Sequence, residues 1–267
     1  MEVKKKPKVK RQSIYHTLHE RVSVLKTKKS YKRGYPVAIL AGLEEDHAVL
    51  WKVFSNVVKH EKTLPLIGTR NDSKALYNFN ELIINALRPT LKEGIKSIIL
   101  ASPSKTNYTQ EFITHIRGHH AWLTQGSNKA VFSEITGSAG TPSQVAELAR
   151  TPTFRRLICE TTAEETENLI EILEKRLNVS SKNNLVLFSL EEAENLILGP
   201  QKTDRPKPEY LLLTDNYLSN SREKNRLHRL MQIATNRKVK TRIVDAKSTA
   251  GQRLAQLGGL VCLVRLE

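Results

Sequence analysis

The sequence predicts an α/β protein of two domains behind a basic arm. A central mixed-sheet α/β domain spans 37–140, an α/β/α sandwich spans 141–267, and a basic N-terminal extension covers 1–36. Three observations predict it. Short apolar runs bounded by turn residues alternate with stretches whose apolar residues recur at helical spacing. The loop "GSAGTPS", Gly137 to Ser143, splits that alternation into two series. Residues 1–36 hold 12 of the 43 Lys and Arg but only Glu2 and Glu20 among the acids, so +10 of the net +16 sits there.

The extension is expected to seek a polyanion. "KKKPKVKRQ" and "KTKKSYKRGYP" interleave Tyr15 and Tyr31 with lysines, a mix that joins phosphate neutralisation to base stacking. Lys4, Lys5, Lys6, Lys8, Lys10, Arg11, Lys28, Lys29, Lys32 and Arg33 are the candidate RNA contacts. A solvated leader that binds nothing specific is the alternative. No apolar run reaches the roughly 18 residues of a membrane helix, and only "SIYHTLHERVSVLK" could lie on a membrane surface, so no membrane partner is expected. The extension has no apolar segment of a secretory signal behind it. Two distant cysteines, Cys159 and Cys262, suit a reducing, cytoplasmic setting.

In chain order, "VAILAGL" and "HAVLWKVF" read as a hairpin turning at "EED". A polar loop at Gly68–Asp72 leads into a helix capped by Asn71, Asp72 or Ser73, with Leu76, Phe79, Leu82, Ile83, Ala86 and Leu87 on its apolar face. Pro89 is expected to stop that helix at Arg88. "GIKSIILASP" is a buried strand, "TQEFITHIRGHHAWL" a helix and "KAVFSEITG" a strand. Two helices follow, the second with an acidic, solvent-facing row of Glu160, Glu164, Glu167, Glu171 and Glu174. Then come "NLVLFS" (strand), "LEEAENLILGP" (helix), "EYLLLTD" (strand), "SREKNRLHRLMQIATN" (helix), "VKTRIVD" (strand) and "AGQRLAQL" (helix). Gly258–Gly259 turn the chain into a last buried strand, Leu260–Val264.

Catalytic chemistry finds little support. His115, His119 and His120 are the one histidine cluster, yet the Glu that a metalloprotease places between its histidines is absent, and Gly118 is expected to end the helix there. No metal or cofactor is predicted. "TGSAGTPS" lacks the Gly-Lys-Ser/Thr ending of a phosphate loop. Cys262 lies within an apolar strand and Cys159 has no His beside it, so neither is a nucleophile. Paired carboxylates at acid–base spacing are not identifiable. The residues alone predict a two-domain protein with an RNA-seeking arm.

The segment "VDAKSTAGQRLAQLGGLVCLVRLE" resembles the end of the third domain in the Pelota and archaeal–eukaryotic class-1 release factor family. Gly251, Leu254, Leu257, Gly258, Gly259, Leu260, Leu263 and Arg265 match that pattern, and Leu266 stands where the family usually has an aromatic. "EYLLLTDNYL", "AELARTPTFRRLICETTAEE" and "KSIILASPSKTNYTQEF" resemble further family segments in the same order, with Ser102 and Ser104 in place of glycine. The resemblance covers about 37 to 267. It implies a third domain folded like small kink-turn-binding ribosomal proteins, with the basic extension standing where the family has a decoding or Lsm-like domain.

The family's release factors carry Gly-Gly-Gln in a central-domain loop, where the glutamine helps position a water. Here that place holds Gly68, Thr69, Arg70, Asn71 and Asp72, flanked by Lys62 and Lys74, with no glutamine; the Pelota branch lacks it too. The resemblance therefore implies a ribosome-binding, non-hydrolytic factor, not an enzyme, monomeric off the ribosome, that occupies the A site in rescue or hibernation. Lys62, Arg70 and Lys74 would point at the large subunit. A translational GTPase of the elongation-factor 1A type would meet Gly258, Gly259 and Arg265. The alternatives are a peptidyl-tRNA hydrolase acting through an atypical loop and a stand-alone RNA-binding protein.

Overall fold

Residue 38 begins an apolar stretch in which neighbours face opposite ways yet all are buried, and that pattern requires a sheet covered on both sides. The computed structural model describes residues 35–54, 57–126, 129–178, 184–200 and 206–265. The candidate RNA contacts from Lys4 to Arg33 lie outside the described residues. Strands β1 (Pro36–Leu43) and β2 (His47–Phe54) form the expected hairpin, closing with Leu43 opposite Ala48. Strands β4 (Ser97–Ser102) and β5 (Val131–Thr136) add in parallel on the other side of β1. One further strand, β3 (Val58–Pro65), was not expected and pairs antiparallel with β2, giving the order β3-β2-β1-β4-β5.

Helix α1 (Ser73–Lys92) and helix α2 (Tyr108–His119) cover one face. Their Phe79, Ile83, Leu87, Phe112 and Ile116 pack on Ile39, Ala41, Ile98 and Leu100. Asp72 is the α1 cap, its side chain accepting the Lys74 N–H at 2.9 Å. Contrary to the expected stop, α1 runs through Pro89. The carbonyl that proline leaves unpaired is four residues back on Asn85, which is exposed, while Leu87, Thr90 and Leu91 pin the last turn from the buried side. Similarly, α2 passes Gly118 to end at His119, and a 3₁₀ turn (Ala121–Leu123) follows.

The opposite face is covered by α3 (Pro142–Arg150) and the first half of α4 (Pro152–Asn178), whose Val145, Leu148 and Phe154 meet Leu40, Trp51 and Ile99. Thr141 and Gln144 form a capping box with Pro142 at the first helical position, which explains the "GTPS" loop without a phosphate. Helix α4, at 27 residues about 40 Å long, then leaves the first sheet. Its Leu169, Ile170 and Leu173 pack on Tyr210, Leu212, Val261 and Leu263 of a second sheet. Residues beyond the expected boundary at 140/141 thus complete the core of the first sheet.

The second sheet has β6 (Asn184–Leu187), β7 (Lys207–Thr214), β8 (Lys240–Val244) and β9 (Leu260–Arg265) in the order β6-β9-β7-β8. Strand β9 lies inside the sheet, antiparallel to both neighbours, with Leu211 opposite Cys262. Helices α5 (Leu190–Leu198) and α7 (Lys224–Asn236) cover one face, and α4 with α8 (Thr249–Gln256) the other. This is the α/β/α sandwich that the alternation predicted. A short α6 (Asp215–Asn220), with no buried residue, follows β7. Both sheets belong to one compact unit, Tyr35–Glu267.

A polar joint ties the sheets together. Arg242 on β8 reaches Glu165 of α4 at 2.5 Å and the Pro36 and Val37 carbonyls of β1 at 3.1 and 3.0 Å. Glu165 also accepts from the Ser97 hydroxyl and from the Lys96 N–H on the β4 side. The Glu165 and Arg242 side chains are 2% and 5% exposed, so each charge depends on the other.

Candidate RNA and partner surfaces

The loop after β3 is fastened from below. Arg70, expected to point outward, turns in: its guanidinium lies 3.7 Å from the Tyr108 ring centroid and donates to the Glu44 carbonyl at 2.5 Å and the Glu45 carbonyl at 3.0 Å. Glu111 closes the clasp at 3.3 Å. Burial pulls the Arg70 guanidinium below its usual range, with Glu111 working against that. Gly68 has φ +111°, and a Cβ there would come within 2.9 Å of Ala75, so the tight entry to α1 requires glycine. Thr69, Asn71, Asp72 and Lys74 are exposed. Lys62 is exposed as well but sits on β3 opposite Leu50, not in the loop. The loop also exposes a large apolar side chain: Ile67 is 85% exposed.

A second feature escaped sequence reading because its parts lie far apart in the chain. The end of α1 (Arg88, Lys92), the start of β4 (Lys96), the 3₁₀ turn (Trp122) and β8 (Lys240) border a cavity of about 560 Å³ floored by Leu91 and Leu123. Arg88 lies 5.2 Å over the Trp122 ring, which is 49% exposed. Lys240 is held by Glu209 at 3.4 Å and by the Tyr210 hydroxyl at 3.2 Å. Burial, together with the Lys240 charge, brings Lys96 down to about 8. An anion entering the cleft would push that value back up. Several cations around an open aromatic ring combine what binds a phosphate with what stacks a base.

The turn before β9 is set by its backbone. Gly258 and Gly259 have φ of +98° and +83°, and their N–H groups donate to Ala255 and Leu254 carbonyls at the end of α8. A Cβ on Gly259 would come within 3.0 Å of Tyr217, whereas one on Gly258 meets open space. Arg265 is exposed at the end of β9. Cys262 is buried within the same strand, and burial pushes its thiol up to about 12, which suits an inert core residue. Cys159 is exposed on α4.

The histidines are placed differently from what their spacing suggested. His115 and His120, not the i, i+4 pair His115 and His119, share a partner: both turn Nε2 to Oε1 of Glu81 on α1, at 2.9 and 2.6 Å. Hydrogen bonds from His120, against some burial, and then from His115 hold the Glu81 carboxyl below its ordinary range. Glu81 lies 34 residues before His115, beyond any local motif.

A five-stranded mixed sheet followed by a four-stranded three-layer sandwich, bridged by one long helix, makes a two-lobed α/β body. The chain is Pelota-like. It is 26% identical over 199 residues to the protein pelota homolog of Pyrococcus furiosus, covering 74% of this chain and 51% of that protein. It is 23% identical over 177 residues to the homolog of Pyrococcus abyssi, covering 66% and 45%. The chain thus spans about half the length of the curated relatives it matches. The archaeal Pelota in a structure described as ribosome-bound Pelota and ABCE1 superposes with a TM-score of 0.52 at 16% identity, over 93% of this chain and 67% of that one. No protein-family model matches.

Proposed function

We propose that the chain is a ribosome-binding translation factor of the Pelota type. It occupies the A site without hydrolysing peptidyl-tRNA, in ribosome rescue or in the protection of idle, hibernating ribosomes. The observation that carries this reading is the similarity to Pyrococcus pelota homologues, joined to a Gly68–Asp72 loop with no glutamine. The archaeal Pelota of similar fold is described as ribosome-bound, which supports the same partner. In this reading the loop presents Ile67, Lys74 and the neighbouring Lys62 to the large subunit, while Arg70 braces it. The basic extension neutralises ribosomal RNA, and the cleft beside Trp122 takes an unstacked nucleotide. The C-terminal lobe, with Arg265 exposed, is the side offered to a translational GTPase. The lobes act as the central and C-terminal domains of such a factor.

Cosedimentation with ribosomes at near-physiological salt, using the full chain and a form lacking residues 1–34, tests the reading. Saturable binding by both, tighter with the extension, is the expected result. Trp122→Ala should weaken it about tenfold, the usual scale of one stacked base. Binding to free RNA but not saturably to ribosomes would replace this reading with a stand-alone RNA-binding protein.

A further inference from the structure

We propose that Glu81, His115 and His120 form a binding site for one zinc ion. They are brought together by the end of α2 and the face of α1. The three ligand atoms lie within 4.8 Å of one another, the one such group among the described residues. The His115 and His120 side chains are only 7% and 10% exposed, while Glu81, at 25%, leaves the site open to an entering ion.

The backbone makes the convergence possible. Five residues apart on a continuous helix, two side chains diverge by about 140°. Here α2 stops at His119 and His120 adopts φ −133°, ψ 48°, which swings its ring back beside that of His115. The ring centroids are 5.8 Å apart. A carboxylate offers about four lone-pair directions on two oxygens, yet both imidazoles aim at the same oxygen. Convergence of this kind fits a small cation seated between the three groups. Two imidazole nitrogens and one carboxylate oxygen, with a fourth position left to water, are a zinc donor set; magnesium and calcium prefer all-oxygen shells.

Trp122 supplies a reporter. Its Nε1–H donates to His120 Nδ1 at 3.4 Å, so His120 carries its proton on Nε2 and donates that N–H to Glu81 in a hydrogen bond. Zinc on Nε2 moves that proton to Nδ1, turns the acceptor into a donor and releases the half-exposed indole to water. The other tryptophan, Trp51, is buried on the opposite face of the first sheet and donates to the Ala139 carbonyl. The ion would staple α1 to the end of α2, and with it the wall of the Trp122 cleft.

The experiment uses the full chain stripped with chelator, then zinc chloride followed by desalting and elemental analysis, with tryptophan fluorescence and thermal melting in parallel. One zinc per chain, a fluorescence change absent from Trp122→Phe, and a melting temperature raised by about 5 °C with zinc in excess are expected. Glu81→Gln keeps an acceptor for both imidazoles but is a poor ligand; it should fold as the parent does and bind about 100-fold more weakly. His115→Ala and His120→Ala should do the same. Two histidines of the extension, His16 and His19, are a competing source of zinc affinity. Zinc held at parental affinity by folded Glu81→Gln and both alanine variants would place the ion elsewhere and overturn the proposal. So would folded parent protein that retains none.

Discussion

Two arginines, Arg70 in the loop after β3 and Arg242 in the joint between the sheets, are turned inward by opposite means. Arg70 is clasped by two carbonyls, an aromatic face and a carboxylate, Glu111, whose side chain is itself partly in water. Arg242 holds two carbonyls and a carboxylate that water does not reach. The loop clasp can loosen and let solvent replace each partner. The joint cannot, because opening it strands a charge in the core. Net charge counted along the chain therefore overstates what is offered to RNA, since both guanidiniums are spent on holding the fold.

Breaking the joint gives the largest expected effect. Glu165→Ala leaves Arg242 buried without its carboxylate and should cost about 3–5 kcal/mol of unfolding free energy in a denaturant titration. A loss below about 1 kcal/mol would mean that water already reaches the joint. Arg70→Ala should cost less, about 1.5–3 kcal/mol before discounting for the exposed side of Glu111. It should also speed amide exchange in Gly68–Asp72 while the β4 amides stay protected. Equal loss from the two alanine variants would erase the contrast. Ile67→Ser, at the tip the clasp supports, should change stability by no more than about 0.5 kcal/mol. A fall in ribosome affinity from that variant would mark the tip as contact surface.

The layers were legible because covered sheets need apolar runs and helices need spaced apolar rows; β1, β4, β7 and β9 all declare themselves this way. Strand β3 did not. "VKHEKTLP" buries only Leu64 and exists because β2 offers it a ladder, so no alternation records it. Pro89 misled for a related reason: whether a proline ends a helix depends on where the orphaned carbonyl faces, which is a tertiary fact. Glu165 was hidden among the acids of α4, one residue from the exposed Glu164. Its helical spacing to buried Thr161 and Leu169 was the available signal. The Trp122 cleft left no signal, and of the Glu81–His115–His120 group only the histidines showed as a cluster, because the cleft and the Glu81 partnership join segments that only the fold makes neighbours.

Helix α4 gives half its length to each sheet, and this bears on how the protein comes apart. A rod whose two halves complete different cores transmits loss of either core to the other, since fraying from one end strips the neighbouring sheet of its cover. The two lobes should therefore melt in a single calorimetric transition, with the slowest-exchanging amides of α4 in its middle turns, around Thr161–Thr166. Relative swinging of the lobes, the ordinary expectation for two domains on a linker, would here require a break in that helix. The pair is built to travel as one stiff body.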